Sequence, residues 1–142
     1  MFVLDTNVVS ELLRPVPNPA VEAWVGRHPA GSLFFTAVGE AELRYGVAIM
    51  ASGACRDRLA AVVEAVAGED FADRVLPFDR WAARSYARIA ALHRAIGRPA
   101  SQADCQIAAI ADSRGATVVT RNTRDFDGTG VAVVDPWLPS ET

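Results

Sequence analysis

Short apolar runs recur along the chain, and the segments between them carry apolar residues at helical spacing. Each run has the length of a buried strand, and continuous apolar strands separated by helices are typical of a parallel sheet covered on both faces. We therefore predict an α/β fold, a three-layer α/β/α sandwich with a short, mainly parallel sheet, in a single domain of residues 1–142. The predicted strands are residues 2–4, 33–36, 117–120 and 131–134, with 75–78 as a short strand or an extended segment.

Residues that favour helix ends divide the remaining segments. Asn7, Asn18, Asp79 and Ser101 are suitable N-cap residues, and Pro19 suits the first position of a helix because its ring fixes φ. Proline and glycine close several of these segments. The predicted helices cover residues 8–13, 19–25, 38–50, 55–67, 80–96 and 102–113.

Acidic and polar side chains occur where the predicted strands end or where the following helices start. Asp5 ends the first strand, Glu42 lies about one and a half turns into a helix, and Asp104 lies near the start of another. Asn122 and Asp125 follow the 117–120 strand. Ligands bind at the carboxyl edge of open α/β sheets, so we expect these groups to converge there. Taken alone, Asp5 is as well explained by a capping role.

The composition restricts the chemistry that such a site can perform. All 14 basic residues are arginine, so a P-loop lysine, a Schiff-base lysine and a lysine general base are excluded. The two histidines lie in polar helical stretches and are expected on the surface, and Cys105 is expected in the core. Asp104 lies in an apolar helical segment with no lysine nearby, and a divalent cation would neutralise it. Oxygen ligands favour Mg²⁺ or Mn²⁺, which can activate water for phosphodiester hydrolysis.

The net charge of −3 does not indicate a nucleic-acid-binding protein, but the charge is unevenly distributed. Residues 51–100 hold 8 arginines against 6 acids, whereas residues 101–142 hold 3 arginines against 6 acids. An acidic pocket beside a more basic region is one arrangement that binds metal and phosphate together. No apolar run approaches the ~20 residues of a membrane span, so a cytoplasmic protein that is not associated with membranes is expected.

Four motifs in this order resemble those of PIN-domain proteins, and the resemblance covers nearly the whole chain. A closing Val-Val-Asp-Pro-Trp segment is similar to the VapC and FitB branch, the toxin ribonucleases of bacterial toxin–antitoxin pairs. Each motif alone is weak, whereas the four in this order are specific. The motifs are Leu4–Asn7, Ala41–Gly46, Ala103–Ala109 and Val119–Phe126.

The resemblance implies a PIN fold, metal-dependent endoribonuclease activity, homodimerisation and inhibition by a small antitoxin that is often DNA-binding. Asp5, Glu42 and Asp104 match three family acids, with Asp5 and Asp104 as metal ligands and Glu42 as a ligand or water-positioning group. The fourth family acid commonly follows Thr-Arg directly, and Asn122 stands there in this chain. Asparagine can offer a carbonyl oxygen but no charge, and Asp125 is the alternative if the turn is helical.

Several residues near the acids are candidates for contacting RNA. Thr6 and Thr120 are expected to position water or phosphate, and Arg44, Arg121 and Arg124 are the preferred phosphate ligands. The row Arg80, Arg84 and Arg88 on the long helix is either an RNA contact or a solvated face, with the second favoured. The three tryptophans can stack on bases, but packing in the core or in a dimer is favoured for them.

Two other functions compete with a nuclease. A PIN fold with a weakened fourth acid can bind RNA or a protein partner without cutting, in which case RNA affinity would persist without metal-dependent cleavage. A phospho-acceptor signalling domain also gathers acids at strand ends. That class normally needs a lysine beside the acids, and this chain has none.

Overall fold

The computed structural model describes residues 1–98 and 100–139, which contain one five-stranded sheet whose neighbouring strands are all parallel. The strands are β1 (Phe2–Leu4), β2 (Leu33–Thr36), β3 (Val75–Leu76), β4 (Thr117–Val119) and β5 (Val133–Val134), in the order β3-β2-β1-β4-β5. The predicted α/β class is thus confirmed. β3 ends before Pro77, which has no N–H to donate to a neighbouring strand, and β5 is two residues shorter than predicted.

Six α-helices connect the strands, close to the predicted positions: α1 (Thr6–Leu12), α2 (Pro19–Gly26), α3 (Ala37–Ala48), α4 (Ala54–Ala65), α5 (Arg80–Ala95) and α6 (Gln102–Ser113). A π-helical turn, Val66–Asp70, continues α4, and 3₁₀ turns cover Ala30–Ser32 and Thr123–Phe126. Asn18, Asp79 and Ser101 cap α2, α5 and α6 as predicted. The helix α1 differs, because Asp5 rather than Asn7 is its N-cap and accepts a hydrogen bond from the Thr6 N–H.

The sheet separates two hydrophobic clusters, which gives the predicted three layers. Side chains of successive strand residues point to opposite faces. Val3 and Val118 face the cluster formed with α5 and α6, whereas Leu4 and Val119 face the cluster formed with α1 and α2. The neighbouring strands β1 and β4 therefore contribute side chains to both clusters.

The helix α6 is buried along most of its length between the sheet and α5. Its run from Ile107 to Ala111 is fully buried, and alanine side chains allow close approach of the neighbouring elements. Cys105 is buried in this layer, as predicted. A helix held so firmly fixes the position of Asp104 in its first turn.

The histidines depart from the expectation that both lie on the surface. His93 is buried, since it packs at the end of α5 and its Nδ1 donates to the Arg98 carbonyl oxygen at 3.1 Å. His28 is half-buried and stacks on Trp24 with the ring centroids 4.0 Å apart. Neither ring lines the cavity described below.

The strand order creates a crevice between β1 and β4. From β1 the chain builds β2 and β3 on one side and then crosses to build β4 and β5 on the other, so helices diverge where β1 meets β4. The Asp5 N–H donates to the Val119 carbonyl oxygen at 2.9 Å and keeps the two strand ends together. Such a reversal of strand order is where open α/β sheets bind ligands. No described helix is long and apolar enough to cross a membrane.

Candidate functional site

Asp5 is the buried carboxylate at the centre of the crevice. Only 3% of the residue is exposed, and its Oδ1 accepts the Thr6 N–H at 2.8 Å while its Oδ2 accepts the Thr120 hydroxyl at 2.8 Å. Burial raises the pKa of Asp5 from its ordinary 3.8 to about 6. The hydrogen bonds lower this pKa, and the negative charges of Asp104 and Glu42 raise it further.

Glu42 reaches the same crevice from α3. Its Oε1 accepts the hydroxyl of Thr6 at 2.6 Å, which links the first residue of α1 to the second turn of α3. The link also accounts for Thr6, because its backbone N–H holds Asp5 while its hydroxyl holds Glu42. Thr6 therefore sets the relative position of two carboxylates that repel each other.

Asn7 and Thr120 complete a hydrogen-bond network around Asp5. The Asn7 Nδ2 donates to the Thr120 Oγ1 at 3.2 Å and lies 3.4 Å from the Asp5 Oδ2. The Thr120 Oγ1 also accepts the Asn122 N–H at 3.0 Å, so the loop after β4 is tied to the loop after β1. The sequence placed Asn7 at a helix cap, whereas the structure gives that role to Asp5 and makes Asn7 a second support of the carboxylate.

Asp104 enters from α6, on the other side of the crevice. Its backbone N–H donates to the Ser101 hydroxyl at 3.0 Å, so the cap of α6 is satisfied without the carboxylate of Asp104. That carboxylate lines the same cavity as Asp5 and contributes to the raised pKa of Asp5. Ser101 rather than Asp104 is therefore the cap of α6, and the Asp104 carboxylate faces the cavity from the first turn of the helix.

These groups open into one cavity of about 550 Å³. Among the residues that the structure describes, Asp5, Glu42 and Asp104 form no ion pair with arginine. The predicted convergence of the acids is thus observed as a shared cavity. Its lining residues are Asp5, Thr6, Asn7, Ser10, Glu11, Arg14, Glu42, Asp104, Arg121, Asn122 and Trp137.

The donor set fits a hard divalent cation better than a soft one. The three unpaired acids and Asn122 offer only oxygen ligands, and the raised pKa of Asp5 shows that its negative charge is poorly compensated by the protein. Within residues 1–98 and 100–139, no three His, Cys, Asp or Glu side chains lie close enough to form a complete metal cage. Mg²⁺ is commonly held by one or two carboxylates with several waters, which agrees with such an open arrangement.

Four of the candidate residues do not line this cavity. Thr120 was expected to position water or phosphate, but it is fully buried and donates to the Asp5 carboxylate instead. Arg44 forms ion pairs with Glu40 and Glu64 across α3 and α4, and these two acids hold its guanidinium away from the crevice. Arg124 and Asp125 line a separate hollow with Gly97 and Arg98. The turn that carries Asp125 is helical, as the sequence interpretation required, but Asn122 is the residue of that loop that faces the three acids.

Three residues that line the cavity have no role predicted from the sequence: Ser10, Glu11 and Arg14. Trp137 lines it as well, although packing in the core or in a dimer was favoured over base stacking for this residue. Glu11 is buried, and both of its carboxylate oxygens accept the Arg14 Nη1, at 3.2 and 3.1 Å. The guanidinium of Arg121 lies 5.1 Å from the ring of Trp137. The helical spacing of Glu11 and Arg14 predicts their ion pair, but only the tertiary structure brings the pair to Asp5.

The remaining tryptophans and the arginine row lie outside the cavity. Trp24 packs in the core as favoured, whereas Trp81 is 56% exposed on α5. Arg80 and Arg84 lie over the Trp81 ring, at 5.4 and 5.6 Å from its centroid. Arg80 and Arg84 are therefore surface residues, in agreement with the favoured solvated face. Arg88 differs, because it pairs with Asp112 and donates to the Thr129 carbonyl oxygen.

The chain is similar to known proteins of one family along nearly its whole length. The family model of the PIN domain matches residues 2–131. A VapC ribonuclease of Sinorhizobium fredii, Y4jK, is 41% identical over 99% of this chain and 100% of its own length. Toxin FitB of Neisseria gonorrhoeae is 41% identical over 96% of this chain and 99% of its own length.

Solved structures give the same result for the fold. A structure of FitAB bound to a DNA fragment superposes with a TM-score of 0.91 at 39% identity, and it covers 99% of both chains. A DNA-bound VapBC structure from Salmonella typhimurium has a TM-score of 0.75 at 28% identity, covering 95% of this chain and 97% of the other. The chain therefore shares its fold with these solved structures.

Proposed function

Because the chain belongs to the PIN-domain family, in the branch of the VapC and FitB proteins, we propose that it is a metal-dependent endoribonuclease that acts as the toxin of a toxin–antitoxin pair. The observation that carries this proposal is the shared cavity of Asp5, Glu42 and Asp104, three acids without an arginine partner among the described residues, at the reversal of strand order. Acids left unpaired in this way are suited to binding a cation, and the bound cation can in turn bind a phosphate.

Asp5 and Asp104 would hold Mg²⁺ or Mn²⁺ from opposite sides of the crevice, and Asn122 would offer a carbonyl oxygen. A bound cation of this kind activates water and stabilises negative charge on a phosphate. Glu42, which accepts the Thr6 hydroxyl, would orient the attacking water or accept its proton. Thr120 and Asn7 hold the Asp5 carboxylate in one orientation. Water would attack phosphorus, and one ester oxygen of the RNA backbone would leave as the P–O bond breaks.

The partners follow from the same family membership. The FitAB and VapBC structures described above are toxin–antitoxin complexes, and both are bound to DNA. We therefore propose a small antitoxin as the protein partner of this chain, with a homodimer as the toxin's own assembly and RNA in the cytoplasm as its substrate.

Cleavage of total cellular RNA by the purified protein tests the nuclease proposal. We expect discrete fragments with Mg²⁺ or Mn²⁺ and none with EDTA, Asp5→Asn or Asp104→Asn. Asp112→Asn is the matched control on α6, because Asp112 pairs with Arg88 outside the cavity, and this variant should cut as the wild type does.

A folded protein, free of any co-purified inhibitor, that cuts RNA under none of these conditions would contradict the proposal. The alternative would then be a PIN-fold module that binds RNA or a partner without cutting. The observation that favours this alternative is that Asn122 lines the cavity where the family commonly has its fourth acid, and asparagine carries no charge.

A further inference from the structure

The cavity contains two arginines whose guanidinium groups are held in different ways. The guanidinium of Arg14 lies against the carboxylate of Glu11, which neutralises it. Arg121 forms no ion pair with any acid in the described part of the chain, and its guanidinium lies over the Trp137 ring instead. Arg121 therefore keeps its positive charge available to a ligand.

Trp137 is a rigid support for this arginine. The indole packs against the hydrophobic cluster of α1 and α2, and the Trp137 backbone N–H donates to the Asp135 Oδ1 at 2.8 Å. Trp137 nonetheless lines the cavity that contains Asp5 and Asp104. The result is an aromatic ring and a cation fixed side by side at the edge of an acidic site.

Arg121 is also tied to the acids through the backbone. Its N–H lies 3.5 Å from the Asn7 Oδ1, and Asn7 supports Asp5 through its own amide. A ligand group on Arg121 and Trp137 would consequently lie next to the group that Asp5 and Asp104 act on.

We propose that Arg121 and Trp137 form a stacking subsite for one nucleobase of single-stranded RNA, next to the phosphate that is cut. This inference rests on RNA as the substrate in the proposed function. Single-stranded RNA is recognised by unstacked bases that lie on aromatic rings or on guanidinium planes. A paired base in a duplex has no free face to offer, and the cavity volume of about 550 Å³ is in the range of small-ligand pockets.

Tryptophan fluorescence with RNA in EDTA tests the subsite without cleavage. A single-stranded RNA oligonucleotide should quench the wild type and Trp81→Phe, because Trp81 lies on the exposed face of α5, outside the cavity. The quenching should be absent in Trp137→Phe. Tripolyphosphate, which carries phosphate charge but no base, should leave the wild-type signal nearly unchanged.

Affinity for the same oligonucleotide, measured by anisotropy of a labelled strand, gives the second readout. Trp137→Leu should bind about 5- to 150-fold more weakly, the effect of losing one stacked base. Trp137→Phe retains a ring that packs in the same place and should bind more tightly than Trp137→Leu. Arg121→Gln should weaken binding as well, and Arg14→Gln should do so much less, because Glu11 already neutralises Arg14.

Equal affinity of wild type and Trp137→Leu, or equal quenching by tripolyphosphate and RNA, would overturn the subsite. These outcomes are separable from failure of the nuclease proposal. A protein that binds RNA through Trp137 but never cuts it keeps the subsite and loses the nuclease. A protein that cuts RNA but is indifferent to Trp137 does the reverse.

Discussion

The two ends of α1 each place an acid in the same cavity, and the protein treats the two acids in opposite ways. Asp5 caps the helix, is 3% exposed and has no arginine within the described residues. Glu11 near the other end is 7% exposed and is paired with Arg14. A buried carboxylate that is paired with a cationic side chain has a structural role. A buried carboxylate without such a partner destabilises the metal-free fold and is available for chemistry.

The sharpest test of this comparison is RNA cleavage by two isosteric variants. Asp5→Asn should lower the rate more than about 100-fold. Loss of a group that only hydrogen-bonds to a metal ligand costs about 10- to 100-fold, and loss of the ligand itself should cost more. Glu11→Gln should stay within about threefold of wild type, since Glu11 is already bound to Arg14. Similar losses in both variants would remove the distinction between the two ends of α1.

Stability against pH gives the next largest effect. The pKa of Asp5 is raised to about 6, so the fold favours its protonated form, and the metal-free protein should lose stability as the pH rises from about 4 through about 6. A shift from 3.8 to about 6 corresponds to at most about 3 kcal/mol of wild-type stability. For Asp5→Asn at pH 8 we expect a gain of only about 1–2 kcal/mol, because asparagine has one acceptor oxygen fewer for the hydrogen bonds of Thr120 and Thr6.

Denaturant unfolding in EDTA at pH 4 and pH 8 measures this effect. Asp5→Asn should be more stable than wild type at pH 8 and no more stable at pH 4. Added Mg²⁺ should stabilise the wild type more at pH 8 than at pH 5, because protons and the cation compete for the same carboxylate. An Asp5→Asn variant that is less stable at pH 8 would contradict the assignment of Asp5 as an uncompensated charge.

Glu11→Gln should change stability in the opposite direction, by a smaller amount. Glu11 accepts the Asn18 N–H at 3.3 Å as well as the Arg14 guanidinium, and a glutamine keeps only one acceptor oxygen. Arg14 is largely exposed, so the pair itself contributes little, and we expect a loss of about 1 kcal/mol. The same unfolding experiment at pH 8 checks this, with Arg14→Gln as its partner variant. A gain in stability for Glu11→Gln would make the two acids alike.

Asn122→Asp is the smallest change and extends the comparison to the loop after β4. A fourth carboxylate without an arginine partner in the cavity should lower the Mg²⁺ concentration for half-maximal cleavage by up to about tenfold, which is about 1.4 kcal/mol. The metal-free protein should lose a fraction of a kcal/mol through repulsion among the acids. An unchanged metal requirement would mean that Asn122 lies outside the cation's reach.

The strands, most helix caps and the meeting of the acids could be predicted because they depend on local pattern and on one topological rule. Asn18 has the geometry of a cap wherever its helix packs, and parallel strands bring their carboxyl ends to one edge. Arg44 was expected to bind phosphate, but it lies outside the cavity and pairs with Glu64. This contact could not be predicted from local pattern, because Glu64 lies 20 positions away on a neighbouring helix. Trp137 is likewise a partner of Arg121 only through the path of the last strand.

Asp5 and Asn7 show a second kind of limit. Both are good N-cap residues, and helical periodicity locates the start of α1 only to within a residue or two. The choice is made by tertiary contacts. The Asn7 side chain turns toward the loop after β4, where its Nδ2 donates to Thr120 and its Oδ1 lies 3.5 Å from the Arg121 N–H, while the Asp5 carboxylate accepts the Thr6 N–H. The residue that becomes the cap is therefore also the residue that carries the buried charge.

The strand order has a consequence for how the protein is made. β1 is made before the other four strands, yet it lies at the centre of the sheet, and the hydrogen bond from Thr120 to Asp5 at its end joins residues 115 positions apart. Contacts of such long range form late and slowly compared with helical ones. A nascent chain holds Asp5 and Glu42 long before Thr120, Asn122 and β4 exist to close the crevice. The cavity of the three acids is therefore completed only once β4 and the loop after it have been made, because a shorter chain lacks the support that Thr120 gives to Asp5.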